Sequence, residues 1–243
     1  MRGIIVLVVC AACGPSHPGA STLPEPPPGT LAEIAPRLAA GEQTAWNVFY
    51  QGVPIGRADL IIDERAAHTT FRTSRAARAL TSARFELATA LEGGRVRGVR
   101  EALTLGGATE RAEAEIDGAS YTPPDGEERP VPGGTRLHTL HSALGVVRAW
   151  SAERAPAPGY LWLWSGGELY RLDVARPARD DVLGVKALRV DGTVRAPHLP
   201  GAIAVEIWLA ANADRTPIRF TLRSGSHLLA AEVYESTASL EAR

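Results

Sequence analysis

From Trp46 onward, apolar and polar residues alternate with a period close to two. Ala112, Ala114 and Ile116 are interleaved with Arg111, Glu113, Glu115 and Asp117, the pattern of a strand with one wet face. The same alternation returns at Phe85, Leu87, Thr89 and Leu91, at Ile203, Val205, Ile207 and Leu209, and at Ile218, Phe220 and Leu222. Turn signals separate these runs: Gly93 with Gly94, Gly106 with Gly107, Gly166 with Gly167, residues 212–215, and residues 224–226. Many short strands at regular spacing predict a mainly β fold, an antiparallel sheet curled into a half-barrel or barrel. One segment departs from this period. Leu137, Leu140, Leu144, Val147 and Trp150 recur at steps of three and four, which predicts a central amphipathic helix over residues 138–152 with Thr139 as its N-cap. Residues 121–134, rich in Pro, Gly and acid, read as an exposed connection. A short helix over residues 31–40, interrupted by Pro36, is expected before the first strand.

The N-terminus follows a different logic. Arg2 is followed by a largely apolar run over residues 3–12, with Ala11 and Ala12 immediately before Cys13. That run is too short for a bilayer core of about 30 Å, so it reads as a cleaved export leader. Residues 10–13 resemble a lipobox, with Cys10 where Leu is usual, and the resemblance makes Cys13 the lipid attachment site. The expected organisation is a leader over residues 1–12, a lipidated tether over 13–40 and a single β-rich domain over 41–243. Residues 14–30 carry six prolines and a single charge, so the tether should be extended, with a reach of up to ~50 Å. The expected location is the bacterial envelope, anchored in the outer membrane and facing the periplasm.

Cysteine usage narrows the chemistry. The chain has two cysteines; one leaves with the leader and the other takes the lipid. Disulfides, thiolate nucleophiles and Cys-based metal sites drop out together. The net charge is −1, and the basic residues, nearly all Arg with Lys186 the only lysine, form no concentrated run. Nucleic acid is therefore not an expected partner.

Residues 41–60 resemble the opening hairpin of the domain of unknown function 3108 family of bacterial envelope proteins. Residues 204–219 resemble its closing hairpin, and residues 142–148 its single central helix. The likeness spans residues 41–234 and implies a curled antiparallel sheet around one helix, akin to periplasmic lipoprotein carriers. It implies no reaction.

Candidate chemistry is sparse. His138 and His141 lie three apart, but no third ligand stands at metal spacing, so no metal and no cofactor is expected and both read as solvated or capping side chains. Ser226 and His227 are strand neighbours pointing to opposite faces, as are Asp180 and Asp181. Glu113 and Glu115 share a polar face. Trp46, Trp162, Trp164 and Trp208 remain as candidate lining for an apolar groove, with core packing as the alternative. Trp208 shares its face with Glu206, away from Ile207 and Leu209. The expectation is a non-enzymatic, membrane-anchored protein binding an apolar ligand or an envelope component. Two alternatives stand beside it: a structural lipoprotein with a filled core, and an envelope hydrolase.

The anchor is directly testable. Cys13→Ser should move the protein from the membrane fraction to the soluble fraction, because several acyl chains hold far more firmly than one. Equal membrane retention of the variant would refute Cys13 as the lipid site.

Overall fold

The computed structural model describes residues 23–79, 82–199 and 201–237; Cys13 and the expected leader lie outside them. The chain opens with β1 (Gly29–Thr30). A first meander follows: β2 (Gln43–Tyr50), β3 (Val53–Ile62), β4 (Ala66–Thr73), β5 (Ala83–Glu92), β6 (Arg95–Leu105) and β7 (Ala108–Asp117), edged by β8 (Ser120–Thr122) and β9 (Arg129–Pro130). After β10 (Leu137–His138) comes the helix α1 (Leu140–Ser151). The second meander comprises β11 (Gly159–Ser165), β12 (Glu168–Val174), β13 (Ala178–Val182), β14 (Val185–Arg195), β15 (Ile203–Ala210), β16 (Pro217–Ser224) and β17 (His227–Ser236).

All these strands belong to one sheet, curled and not closed. The two meanders are joined where β17 pairs antiparallel with β2, Leu229 opposite Tyr50 and Val233 opposite Trp46. At one end of the sheet lies β11, with β1 and β10 paired parallel along its outer edge. Both faces of β11 are buried. Leu161 and Leu163 pack with α1 and with β12, β14 and β15, whereas Trp162 and Trp164 pack with Phe71, Phe85, Leu87, Val99 and Leu103 of the first meander. β11 is thus a wall between two compartments, and its unbroken apolar run, Leu161 to Trp164, is what a strand buried on both sides requires.

The helix fills the first compartment. Its N-cap is Thr139, as the sequence indicates: the Thr139 Oγ1 accepts from the Ser142 N–H, and the Ser142 Oγ accepts from the Thr139 N–H at 2.9 Å. Such a reciprocal cap satisfies two otherwise orphaned donors and contributes about 1 kcal/mol. The helix is buried nearly all round, Val146, Val147 and Trp150 on the sheet side and Gly145 on the other.

Gly145 is covered by residues 36–38, which are not helical. A side chain at Gly145 would meet the Pro36 Cβ at 2.9 Å, and the Arg37 N–H donates to the Gly145 carbonyl at 2.9 Å. The helix expected over residues 31–40 is therefore absent. In its place a strap crosses α1, begun by β1 and by buried Leu31 and Ala32. Packing accordingly starts before residue 41, where the sequence pattern put the edge of the domain. The strap ends on an ion pair sealed from water: Arg148 Nη1 donates to Glu42 Oε2 at 2.8 Å, with side-chain exposures of 0% and 2%, and Arg148 Nε donates to the Asp214 carbonyl.

Two local patterns also differ from the alternation. A register shift between Trp208 and Leu209 leaves Ile218 as an extra residue in β16. Ile218 therefore joins the Trp208 cluster while Phe220 and Leu222 pack toward the helix compartment. Within the connection at residues 121–134, Tyr121 and Val131 are buried anchors in the second compartment.

Removing one partner of a buried ion pair strands the other charge. Arg148→Ala should lower unfolding free energy by about 3–5 kcal/mol in urea denaturation. A loss below about 1 kcal/mol would show that strap and helix are held by something else.

Candidate functional site

Four positions on adjacent strands line up across the first meander: Thr69 opposite Leu87, Leu87 opposite Glu101, and Glu101 opposite Ala112. Facing this row is the turn between β11 and β12. Together they line a half-open groove of about 860 Å³ to which Trp164, Gly166, Gly167, Pro123 and Pro124 also contribute. A second groove of about 670 Å³ shares His68, Ala88, Arg100, Glu113 and the two prolines with it, and runs on past Ala66, Ala90 and Gly98. Small residues make this space. β7 pairs with β8 only over residues 115–117, so residues 108–114 are left as an edge beside the prolines. Charged Glu110, Arg111 and Glu113 occupy that edge, a composition that discourages pairing with another strand.

Glu101 is the chemically distinctive residue of the groove. It sits on β6 among Val99 and Leu103, only 5% exposed. Its Oε2 accepts from the Gly166 N–H at 2.7 Å and from the Ser165 hydroxyl at 3.2 Å. Burial pushes its carboxyl up to about 7, against the opposing effect of those two donors. Its Oε1 is buried without a hydrogen-bond partner, and so is the Nε1 of Trp164. The tight turn supplies the donor: Gly166 and Gly167 both adopt positive φ, which glycine allows at no steric cost.

Next to the groove lies a buried polar chain linking β4 and β5 to the start of α1. Thr89 Oγ1 donates to Thr139 Oγ1 at 2.9 Å, so His141 Nδ1–H donates to Thr89 Oγ1 and His141 Nε2 accepts from the Thr69 hydroxyl, each at 2.9 Å. His138 Nε2 donates to the Ala32 carbonyl at 3.1 Å, and its Nδ1 is bonded to the Ser142 hydroxyl. Neither imidazole is solvated, contrary to the sequence expectation. Desolvation drives His138 down to about 4 and His141 to about 3. Both rings spend both nitrogens within the protein, and no cluster of three metal-ligating side chains occurs among the described residues.

The four tryptophans singled out by the sequence separate. Trp164 lines the groove. Trp162, on the same face of β11, is core in the second compartment. Trp46 packs with Leu60, Ile62 and Ala67, edge-on to Phe220. Trp208 faces away from Ile207 and Leu209, as its spacing indicates, but it is buried with Val182, Ala187 and Ile218, and its Nε1–H donates to Asp180 at 2.9 Å. For Trp46 and Trp208 the core alternative describes the packing. Lys186 lies in β14, and Glu113 and Glu115 are exposed. Glu101 was not foreseen. Its one sequence signal is a charge at the inward phase of the β6 alternation, between Val99 and Leu103.

Among solved structures, the chain is similar to a β-barrel-like protein of the domain of unknown function DUF1849 from Brucella abortus. The alignment has 10% identity and a TM-score of 0.56, and covers 83% of this chain and 98% of that one. This likeness shows the fold. The lipoprotein LppX of Mycobacterium tuberculosis aligns at 11% identity over 84% of this chain and 91% of that one, with a TM-score of 0.33. LprF of Mycobacterium bovis aligns at 12% over 86% and 92%, with a TM-score of 0.32. Neither superposition is close enough to carry an argument. No family model and no curated protein matches the chain, so membership of the 3108 family is not shown.

The buried groups predict a particular pH profile. His138 and His141 titrate below the ordinary 6.5, so the unfolded chain binds more protons and stability falls as pH drops from about 6.5 toward 4 and 3. Glu101 acts oppositely: its folded value of about 7 exceeds the ordinary 4.5, so the folded chain binds more protons and stability falls as pH rises between them. Glu101→Gln removes the second limb. Its thermal midpoint should climb more steeply than the wild type's between pH 4.5 and 6.5 and stay level from 6.5 to 7. Parallel profiles for the two proteins would show that Glu101 titrates normally.

Proposed function

We propose that this chain is a non-enzymatic, lipid-anchored envelope protein that binds the apolar chain of an amphiphile in the groove between the first meander and the β11–β12 turn. The observation that supports the reading is the groove itself. Its volume of about 860 Å³ lies within the ~300–1,000 Å³ range of small-molecule sites. Leu87, Ala112, Trp164 and the two prolines form the apolar part of its lining, beside His68, Arg100, Arg111 and Glu113.

The helix compartment is filled by its own side chains and is not the site. The molecule has a filled core around the helix and a groove beside it. A hydrolase reading has less support. Ser165, whose hydroxyl donates to the Glu101 carboxyl, does not belong to the groove lining, so a substrate carbonyl held in the groove does not meet it. No helix among the described residues is long and apolar enough to cross a membrane. Anchoring therefore rests on Cys13, and the envelope location on the leader pattern.

Oleoyl amphiphiles should change the tryptophan emission saturably, and Trp164→Phe should remove most of that signal, because Trp164 is the indole in the groove. Ala112→Phe, which fills the groove, should weaken binding at least ~10-fold while leaving the thermal midpoint within a few degrees. An emission unmoved by any such amphiphile would leave the structural reading in its place.

A further inference from the structure

Two residues of the groove lining each keep one buried polar atom without a partner. Glu101 Oε1 is an acceptor without a donor, and Trp164 Nε1–H a donor without an acceptor; both are buried, and both residues line the same groove. Buried polar groups are nearly always paired, because an unpaired one forfeits its hydration with no return. The other carboxylate oxygen is fully engaged by Ser165 and Gly166, which fix the carboxyl in place. What is left over is one acceptor and one donor on two residues of the same groove lining.

Building on the reading above, we propose that Glu101 and Trp164 form a headgroup subsite for a hydroxyl-bearing, uncharged amphiphile of the single-chain glycerol ester class. A hydroxyl suits both groups, since it can donate to the carboxylate oxygen and can accept from the indole N–H. The charges around the groove favour a neutral head. Glu113 is paired with Arg100, and Glu86 with Arg84, which leaves Arg111 and Glu101 of opposite sign on the lining, and His68 beside them. An anionic head is opposed by the Glu101 carboxylate. The proton balance of Glu101 supports the choice: held near neutrality by burial, it exists as acid and as carboxylate at physiological pH. A hydroxyl pairs with either form, whereas an ammonium pairs only with the ionised one.

The test uses calorimetric titration of the full chain at pH 7 with three probes sharing one tail: 1-monooleoylglycerol, oleate and oleylamine. The glycerol ester should bind about tenfold more tightly than either charged probe, because a site built to hydrogen-bond a hydroxyl discriminates against heads that lack it. Glu101→Leu should abolish that preference and leave oleate binding as strong or stronger. Glu101→Gln, whose amide both accepts and donates, should keep the preference within about threefold, and Trp164→Phe should reduce it. Should Glu101→Leu fail to fold, the Gln and Phe variants carry the test. Equal binding of all three probes by the wild type, or a preference that survives loss of both groups, would overturn the subsite and leave the apolar groove standing. An absence of binding by every probe would remove the groove reading, and the subsite with it.

Discussion

Burial of β11 on both faces is the constraint on which the rest of the molecule depends. A strand that must hide Leu161 and Leu163 on one side and Trp162 and Trp164 on the other needs two separate apolar partners. The helix with β12, β14 and β15 provides one, and the first meander provides the other. The sheet therefore curls so that its own end lies inside it. The β11–β12 turn is thereby carried to Glu101, and a turn amide and hydroxyl meet a buried carboxyl only because of that curl.

The strap works toward the same arrangement. A strand at the end of a sheet leaves an edge in need of partners, and β1 and β10 supply them to β11 by parallel pairing. The same stretch of chain then covers Gly145 and delivers Glu42 to Arg148. Space is decisive at these crossings. A Cβ on Gly159 would sit 2.8 Å from Leu31 Cδ2, so strand and strap approach only because that position is glycine. The polar chain from Ala32 through His138, Ser142, Thr139, Thr89 and His141 to Thr69 ties strap, helix and first meander together without any charge. Every member that is named has a partner, which is the condition under which a buried polar network stabilises.

Much of the fold was legible in the sequence because it rests on local signals. Period-two runs such as Phe85, Leu87 and Thr89 became buried strand faces, the glycine pairs became turns, and the cap at Thr139 was read from the residue type. The missing helix at residues 31–40 has a clear cause: tertiary contacts with α1 and β11 outweigh weak helical propensity once Pro36 removes a donor. Ile218 could not be assigned by alternation, since a bulge shifts the phase by one residue. The groove was partly legible. Alternation places Trp164 on a face, but it does not reveal that the face opposes β6, so the pattern points to the tryptophans and not to Glu101 as groove lining. Pairings that bridge long stretches of chain, Glu101 with Ser165 or Glu42 with Arg148, leave no periodic trace.

The joint between β17 and β2 has a kinetic meaning. It pairs an early strand with one made much later, so the two meanders cannot join into one sheet until β17 has been synthesised. Until then the first meander can zip locally, one hairpin after another, whereas the second lacks the neighbour that seals it. Closing so long a loop is slow. Joining of the two meanders is thus deferred to the moment β17 arrives, and the sheet stays open between β16 and β2 for as long as that strand is withheld.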